Sequence, residues 1–261
     1  MMTPRPARVA SVAAHEFAIL RRERQVLIIL FVMPLILASF LAKGLEPLVR
    51  QAEPHTAVRG ADFAIPGFAL LFGFFQIGFI GNTFMSEHGW GTWLRLRISQ
   101  FRSSEILLGK VAPYAAVSLA QMLVLLAFGK IVFRMHATGS SVGFVLVSVA
   151  VVAVVVALAL LVAGVSKSGQ QVTAFANLGA ILLAALGGAL LPVESLPGWA
   201  QSVAPVTPDY WAMKAFRGLT TGSASLADVM PEIGVLLGIA AVLFVGAQWT
   251  FKFSDEKISL A

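Results

Sequence analysis

Cysteine is absent from the 261 residues, which excludes a disulfide framework, a thiolate metal site and a cysteine nucleophile. Charge is scarce as well. Charged residues make up 12% of the chain and hydrophobic ones 58%, where a soluble domain carries roughly 25% and about 45–50%. A soluble fold of this length has no means of covering its surface with so few charges, so the bulk of the chain must face lipid. The formal net charge of +6 is therefore read as cations gathered on the cytoplasmic side against anionic lipid, not as a nucleic-acid surface.

What is present are long apolar runs. A helix crosses the hydrocarbon core with about 20 predominantly apolar residues, and six segments qualify: Val26–Ala42, Phe63–Met85, Val111–Phe133, Val142–Val165, Val172–Leu191 and Ile233–Phe251. The first is short, holds Pro34 and is expected to kink. It follows a long polar leader without a small-residue cleavage site and reads as an anchor, not a signal peptide. With the N-terminus inside, lysines and arginines divide twelve to seven in favour of the inner side. That division places both termini in the cytoplasm and makes the chain a multi-pass protein of the plasma membrane. Ser86–Lys110 becomes a cytoplasmic loop, while Gly44–Asp62 and Pro192–Pro231 lie outside.

The span interiors hold no Asp, Glu, Lys, Arg or His. Ion-coupled transporters ordinarily place ionisable groups at depth, and an intramembrane hydrolase needs a base or metal ligands there. Both classes are disfavoured. His15, His55, His88 and His136 are far apart, none at metal-ligand spacing, and read as solvated surface residues. The phosphate-binding pattern Gly-x-x-x-x-Gly-Lys-Ser/Thr is missing too. Gly109-Lys110 is followed by Val111 with no earlier glycine in place, and "SKSGQQ" at 166–171 reads as a polar turn that reverses the chain at Ser168 and Gly169. The chain carries no catalytic, cofactor or metal site, so any energy source must be another polypeptide.

Three segments outside the spans are organised. Residues 7–24 put Val9, Val12, Ala13, Phe17 and Leu20 on one helical face, with Arg8, Ser11, His15 and Arg22 opposite, the pattern of a helix lying in the inner interface. Residues 192–231 are too apolar for a free loop and are expected to dip back into the outer leaflet. There Thr207 is a good N-cap, Pro208 suits the first helical position and Asp209 complements the helix dipole. Lys214 and Arg217 fall in the last turn, and Gly218 is expected to take the left-handed terminating position. A helix over 208–217 then offers Tyr210, Trp211 and Phe216 to the headgroup layer, and a turn around Pro197–Ser202 brings Trp199 to the same depth. The third segment, Ser86–Lys110, sets four cations and two tryptophans between apolar runs.

Ala176, Ala180, Ala184 and Gly188 form a small-residue stripe on the fifth span, and Gly234 and Gly238 mark the sixth. Both stripes permit close helix approach, within one subunit or between two. Gln76, Asn82 and Asn177 are polar groups at depth, either lining a path or hydrogen-bonding across helices.

Taken together the chain resembles the permease subunits of type-2 ATP-binding-cassette exporters, of the kind found in bacterial drug-resistance and polysaccharide-export systems. The most specific stretch is "EHGWGTWLRLRISQFRSSEILLGK", Glu87 to Lys110, which is similar to that family's loop after span two. "LPVESLPGWAQSVAPVTPDYWAMKAFRGL" is similar to its proline-rich re-entrant stretch before the last span. His88-Gly89 departs from the family, which often has further charged residues there. The resemblance implies one all-α permease domain over residues 1–261: a homodimer of six-span subunits, each docked on a cytoplasmic ATPase subunit and surrounded by lipid. It also implies that Trp90, Trp93, Leu94 and Leu96 fill apolar sockets of the ATPase while Glu87, Arg95, Arg97 and Arg102 fix register by charge pairing. The function implied is ATP-driven outward movement of a substrate. The largely apolar spans point to a lipid-like or amphiphilic cargo. The alternatives are a secondary transporter or channel, or a membrane assembly protein without a transport path.

Overall fold

The computed structural model describes residues 6–22, 24–52, 58–89 and 103–250. The described residues form α1 (Pro6–Arg22), α2 (Arg24–Ala52), α3 (Gly60–Gly89), α4 (Ser103–Val132), α5 (Ser141–Val165) and α6 (Gly169–Leu186). They continue with α7 (Gly198–Val203), α8 (Pro208–Thr220) and α9 (Leu226–Thr250), with 3-10 turns at Val193–Ser195 and Ala204–Val206. No strand occurs among the described residues. Six helices, α2 to α6 and α9, are long and apolar enough to cross a membrane. The fold is all-α, as expected.

The bundle is built around α3. Ile65, Leu70, Phe74 and Ile80 are buried, and α2, α4, α5, α6 and α8 all pack against this one helix. It is apolar all round, which is the mark of a helix enclosed by others. Close approach is local: a Cβ at Gly81 would stand 2.7 Å from Val172 Cγ1 on α6. Beside it, Ala176, Ala180 and Ala184 are buried, with Ala176 facing Gly78. The alanine stripe of the fifth span thus packs within the chain, against α3. A Cβ added at Gly234 or Gly238 would meet no neighbouring element within 4 Å among the described residues. The long α5 lies along α9. Ser140 caps α5 by accepting from the Gly143 N–H at 3.2 Å.

Several expected boundaries move. α2 runs through Pro34 and Pro47 to Ala52, past Ala42, where the first span was expected to end. Leu45 and Val49 are buried along the extension, and Arg50 pairs with Glu46 at 2.5 Å one turn back, so packing and an i,i+4 pair carry the helix on. α6 stops at Leu186, short of Leu191, where Gly188 turns left-handed (φ 85°). The ends of the Ser86–Lys110 segment are not loop: α3 continues to Gly89 and α4 begins at Ser103.

At the end of the bundle that the charge bias assigns to the outside, Asp62 is buried and collects three donors. Arg59 N–H donates at 2.8 Å, His136 N–H at 2.7 Å, and His136 Nδ1 lies 2.7 Å away. His136, expected to be a solvated surface residue, is instead half-buried and held by this carboxylate.

Candidate functional site

Of the residues expected to meet an ATPase, Trp90, Trp93, Leu94, Arg95, Leu96, Arg97 and Arg102 lie outside the described residues. Glu87 falls in the last turn of α3. What the structure does describe is the base on which this segment stands. α1 packs against the start of α4. Gly109 permits the approach, since a Cβ there would stand 2.6 Å from Val12 Cβ and 3.1 Å from the Val9 carbonyl oxygen. One turn along α1 from Val12, Glu16 Oε1 accepts from Lys110 Nζ at 2.6 Å, with both side chains buried. Leu20 is buried next to Glu16 on α1, while Phe17 is 48% exposed. The inward face of α1 is thus Val9, Val12, Ala13, Glu16 and Leu20, with Glu16 in the place expected for Phe17. Nothing in the sequence pattern flagged Glu16. A signal was available: Lys110 is a cation at the mouth of an apolar span, and a buried cation needs a carboxylate.

The three polar residues at depth are not brought together. Gln76 is buried, and its Nε2 donates to Gln121 Oε1 on α4 at 3.3 Å. Gln121, which the sequence did not single out, is fully buried and leaves its own Nε2 without an acceptor among the described residues. Asn82 Nδ2 donates to Thr173 Oγ1 on α6 at 2.9 Å. Thr173 in turn donates to the Gly169 carbonyl at 3.0 Å. This ties the end of α3 to the first turn of α6, which Ser168 caps by accepting from Gln171 N–H at 3.3 Å. Asn177 is exposed on the outward side of α6.

The segment before the last span folds as two short helices, α7 and α8, and α8 is capped by Thr207. Thr207 Oγ1 accepts from Tyr210 N–H at 3.4 Å, and Pro208 opens α8. Trp211 Nε1 donates to the Pro205 carbonyl at 2.8 Å, which ties α8 back to the turn before it. Trp199 on α7 is exposed. Gly218 does not terminate α8. The helix continues to Thr220, and the left-handed conformation falls on Ser223 (φ 51°). The Arg217 carbonyl accepts from the hydroxyls of Thr220 and Thr221, both at 3.1 Å. The two threonine hydroxyls thus satisfy a carbonyl at the helix end, and Ser223 takes the left-handed position expected of Gly218.

Asp209 departs furthest from its expected role. It sits in the first turn of α8, where the dipole favours a carboxylate, yet it is fully buried and neither oxygen has a hydrogen-bond partner among the described residues. Burial pushes its pKa up to about 8, since desolvation penalises the charged form more than the dipole favours it. The cations further along α8 are paired. Arg217 meets Glu194 at 2.9 Å, and Lys214 meets Glu232 of α9 at 2.9 Å.

The arrangement thus has membrane-crossing helices around one central helix, a buried ion pair where α1 meets α4, the third of the long helices, and two short helices before the last span. Comparison with known proteins agrees with it. The chain is 28% identical, over 178 residues, to the linearmycin resistance permease protein LnrN of Bacillus subtilis (strain 168). That match covers 68% of this chain and 46% of the relative, so the chain spans about half the length of the curated relative it matches. Residues 47–249, which take in α3 to α9 and the end of α2, match the family described as ABC-2 family transporter protein. The chain belongs to the ABC-2 family of membrane transporters.

Proposed function

We propose that this chain is the membrane-spanning subunit of an ATP-driven exporter, working with a separate cytoplasmic ATPase subunit and moving a lipid-like or amphiphilic substrate outward. The observation that carries the reading is the family match over residues 47–249. The relative's name, a resistance permease, supports export.

In this reading both termini and residues 86–110 are cytoplasmic, and α1 lies in the inner interface. Trp90, Trp93, Leu94 and Leu96 seat in the ATPase while Glu87, Arg95, Arg97 and Arg102 set register. Movement imposed between α3 and α4 is passed to α1, because the Glu16–Lys110 pair and the Gly109–Val12 contact bind α1 to α4. The subunit works as a homodimer. The outward Asn177 of α6 then faces the path between copies, while Gln76 and Asn82 hold the helices of each copy together. α7 and α8 lie in the outer leaflet.

The test is co-expression of the tagged chain with an ATP-binding-cassette ATPase from the same source, followed by ATP hydrolysis in proteoliposomes against a panel of lipids and amphiphilic drugs. Co-purification and substrate-stimulated hydrolysis are expected. A chain that purifies without any ATPase, or transports without ATP, overturns the proposal.

A further inference from the structure

A cavity of about 230 Å³ runs along the last turns of α4, between that helix and the start of α5. Leu123, Leu126 and Lys130 line it from α4, Met135 from the connection, and Ser141 and Phe144 from α5. Positions 123, 126 and 130 recur at helical spacing and so share one face. They span about 10 Å along the axis. The charge therefore stands at one end of the cavity, where α4 stops, and the leucines form its depth. Lys130 is the one charged residue among those that line it.

The walls are fixed by bonds that do not involve Lys130. The Gly129 carbonyl accepts from the N–H groups of Phe133 at 3.1 Å and Met135 at 3.0 Å, which turns the chain at the end of α4 and leaves Met135 buried. Gly139 N–H donates to the Leu219 carbonyl at 2.9 Å and Ser140 N–H to the Ala224 carbonyl at 3.0 Å. These fasten the start of α5 to α8 and the turn after it. Phe144 stacks on the buried Phe216 of α8, with ring centroids 6.1 Å apart. Lys130 itself is exposed and has neither a hydrogen bond nor an ion pair among the described residues. Carboxylates at the same end of the bundle are engaged elsewhere: Asp62 by His136, Glu46 by Arg50 and Glu232 by Lys214.

The cavity is smaller than the roughly 300–1,000 Å³ of a site that encloses a whole small ligand. It suits one apolar chain whose polar end stays at the mouth. The free ammonium there is a compact point charge and calls for an anion. We propose that this cavity binds a single-chain anionic amphiphile, with Lys130 pairing with the headgroup while Leu123, Leu126, Met135 and Phe144 take the chain. The site belongs to the subunit alone and goes beyond the exporter reading without depending on it.

The experiment uses the purified full chain in phosphatidylcholine nanodiscs and dodecanoate carrying a photoactivatable diazirine near its chain end, with labelled residues mapped by mass spectrometry. Saturable labelling within residues 123–144 is expected. Unlabelled dodecanoate should displace the probe, dodecyltrimethylammonium should compete at least about tenfold more weakly, and acetate should not compete. Lys130→Gln, a change at an exposed position, should weaken dodecanoate about tenfold, the worth of a hydrogen bond to a charged group, and leave dodecanol unaffected. Ala127→Leu, which puts bulk into the cavity lining, should weaken both. Equal competition by the anionic and cationic amphiphiles, or unchanged affinity in Lys130→Gln, overturns the proposal, since the lysine then meets only bulk headgroups. Unsaturable labelling spread over other spans, or unchanged affinity in Ala127→Leu, overturns the cavity as the site. Failure of ATPase co-purification would count against the exporter reading alone and leave this site standing.

Discussion

Lys110 and Glu16 are 94 residues apart in sequence and 2.6 Å apart in space, and both side chains are almost wholly withdrawn from solvent. The pair locks α1 onto the first turns of α4, at the base of the segment proposed to meet the ATPase. A buried charge left without its partner costs about 3–5 kcal/mol, whereas replacing both partners by apolar groups is often neutral. Lys110→Met alone, which strands the buried Glu16 carboxylate, should therefore lower the thermal midpoint of the purified protein markedly. The double variant Glu16→Leu/Lys110→Met should recover most of the loss. Equal midpoints for Lys110→Met and the parent would show that the pair is not buried in the folded protein.

Asp209 supplies a pH dependence of known sign. Its pKa is raised by burial from 3.8 to about 8, so the folded state holds the proton longer than the unfolded chain does. The contribution to stability is complete below the ordinary carboxyl range and is lost as pH rises to about 8. Asp209→Asn keeps the shape without the charge. It should raise the thermal midpoint at pH 9 by more than at pH 5, and a uniform shift at both would refute the assignment.

Gly218 was expected to end α8 in a left-handed conformation, and the structure places it inside the helix instead. A Cβ there would stand 3.4 Å from Ala224 Cβ, an ordinary contact. Gly218→Ala should thus be neutral or stabilise by up to about 1 kcal/mol, the helix-propensity difference. A destabilised variant would restore the left-handed reading.

Topology is testable by single cysteines, because the chain has none of its own. Ser202 on α7 and Lys167 in the turn between α5 and α6 are both exposed. An impermeant thiol reagent applied to intact cells should label Ser202→Cys and spare Lys167→Cys. The reverse pattern inverts the proposed orientation.

Coupling has its own pair of variants. Aromatic anchors dominate protein interfaces, and truncating one commonly costs about 2 kcal/mol or more. Trp93→Ala should reduce ATPase co-purification, whereas Glu87→Gln should leave expression and insertion intact while weakening substrate-stimulated hydrolysis. If both variants bind and transport like the parent, residues 86–110 are not the coupling element.

Sequence and structure divide the labour along a physical line. The all-α fold, the six spans and the Thr207 cap depend on interactions within about one helical turn, or on apolar length measured against the bilayer. Such short-range terms are written in the order of residues. The small-residue stripe of α6 was legible for the same reason, although its partner, α3, was not. Tertiary packing decided which side chain of α1 turns inward, that Gln76 meets Gln121, that Asn177 points away from the bundle, and that Asp209 loses its water. Periodicity names a face but not the neighbour it will meet. A carboxylate in a first helical turn looks the same in sequence whether solvent or another helix covers it. Burial, partner and pKa are set by contacts between residues far apart in the chain, and only the folded bundle brings those together.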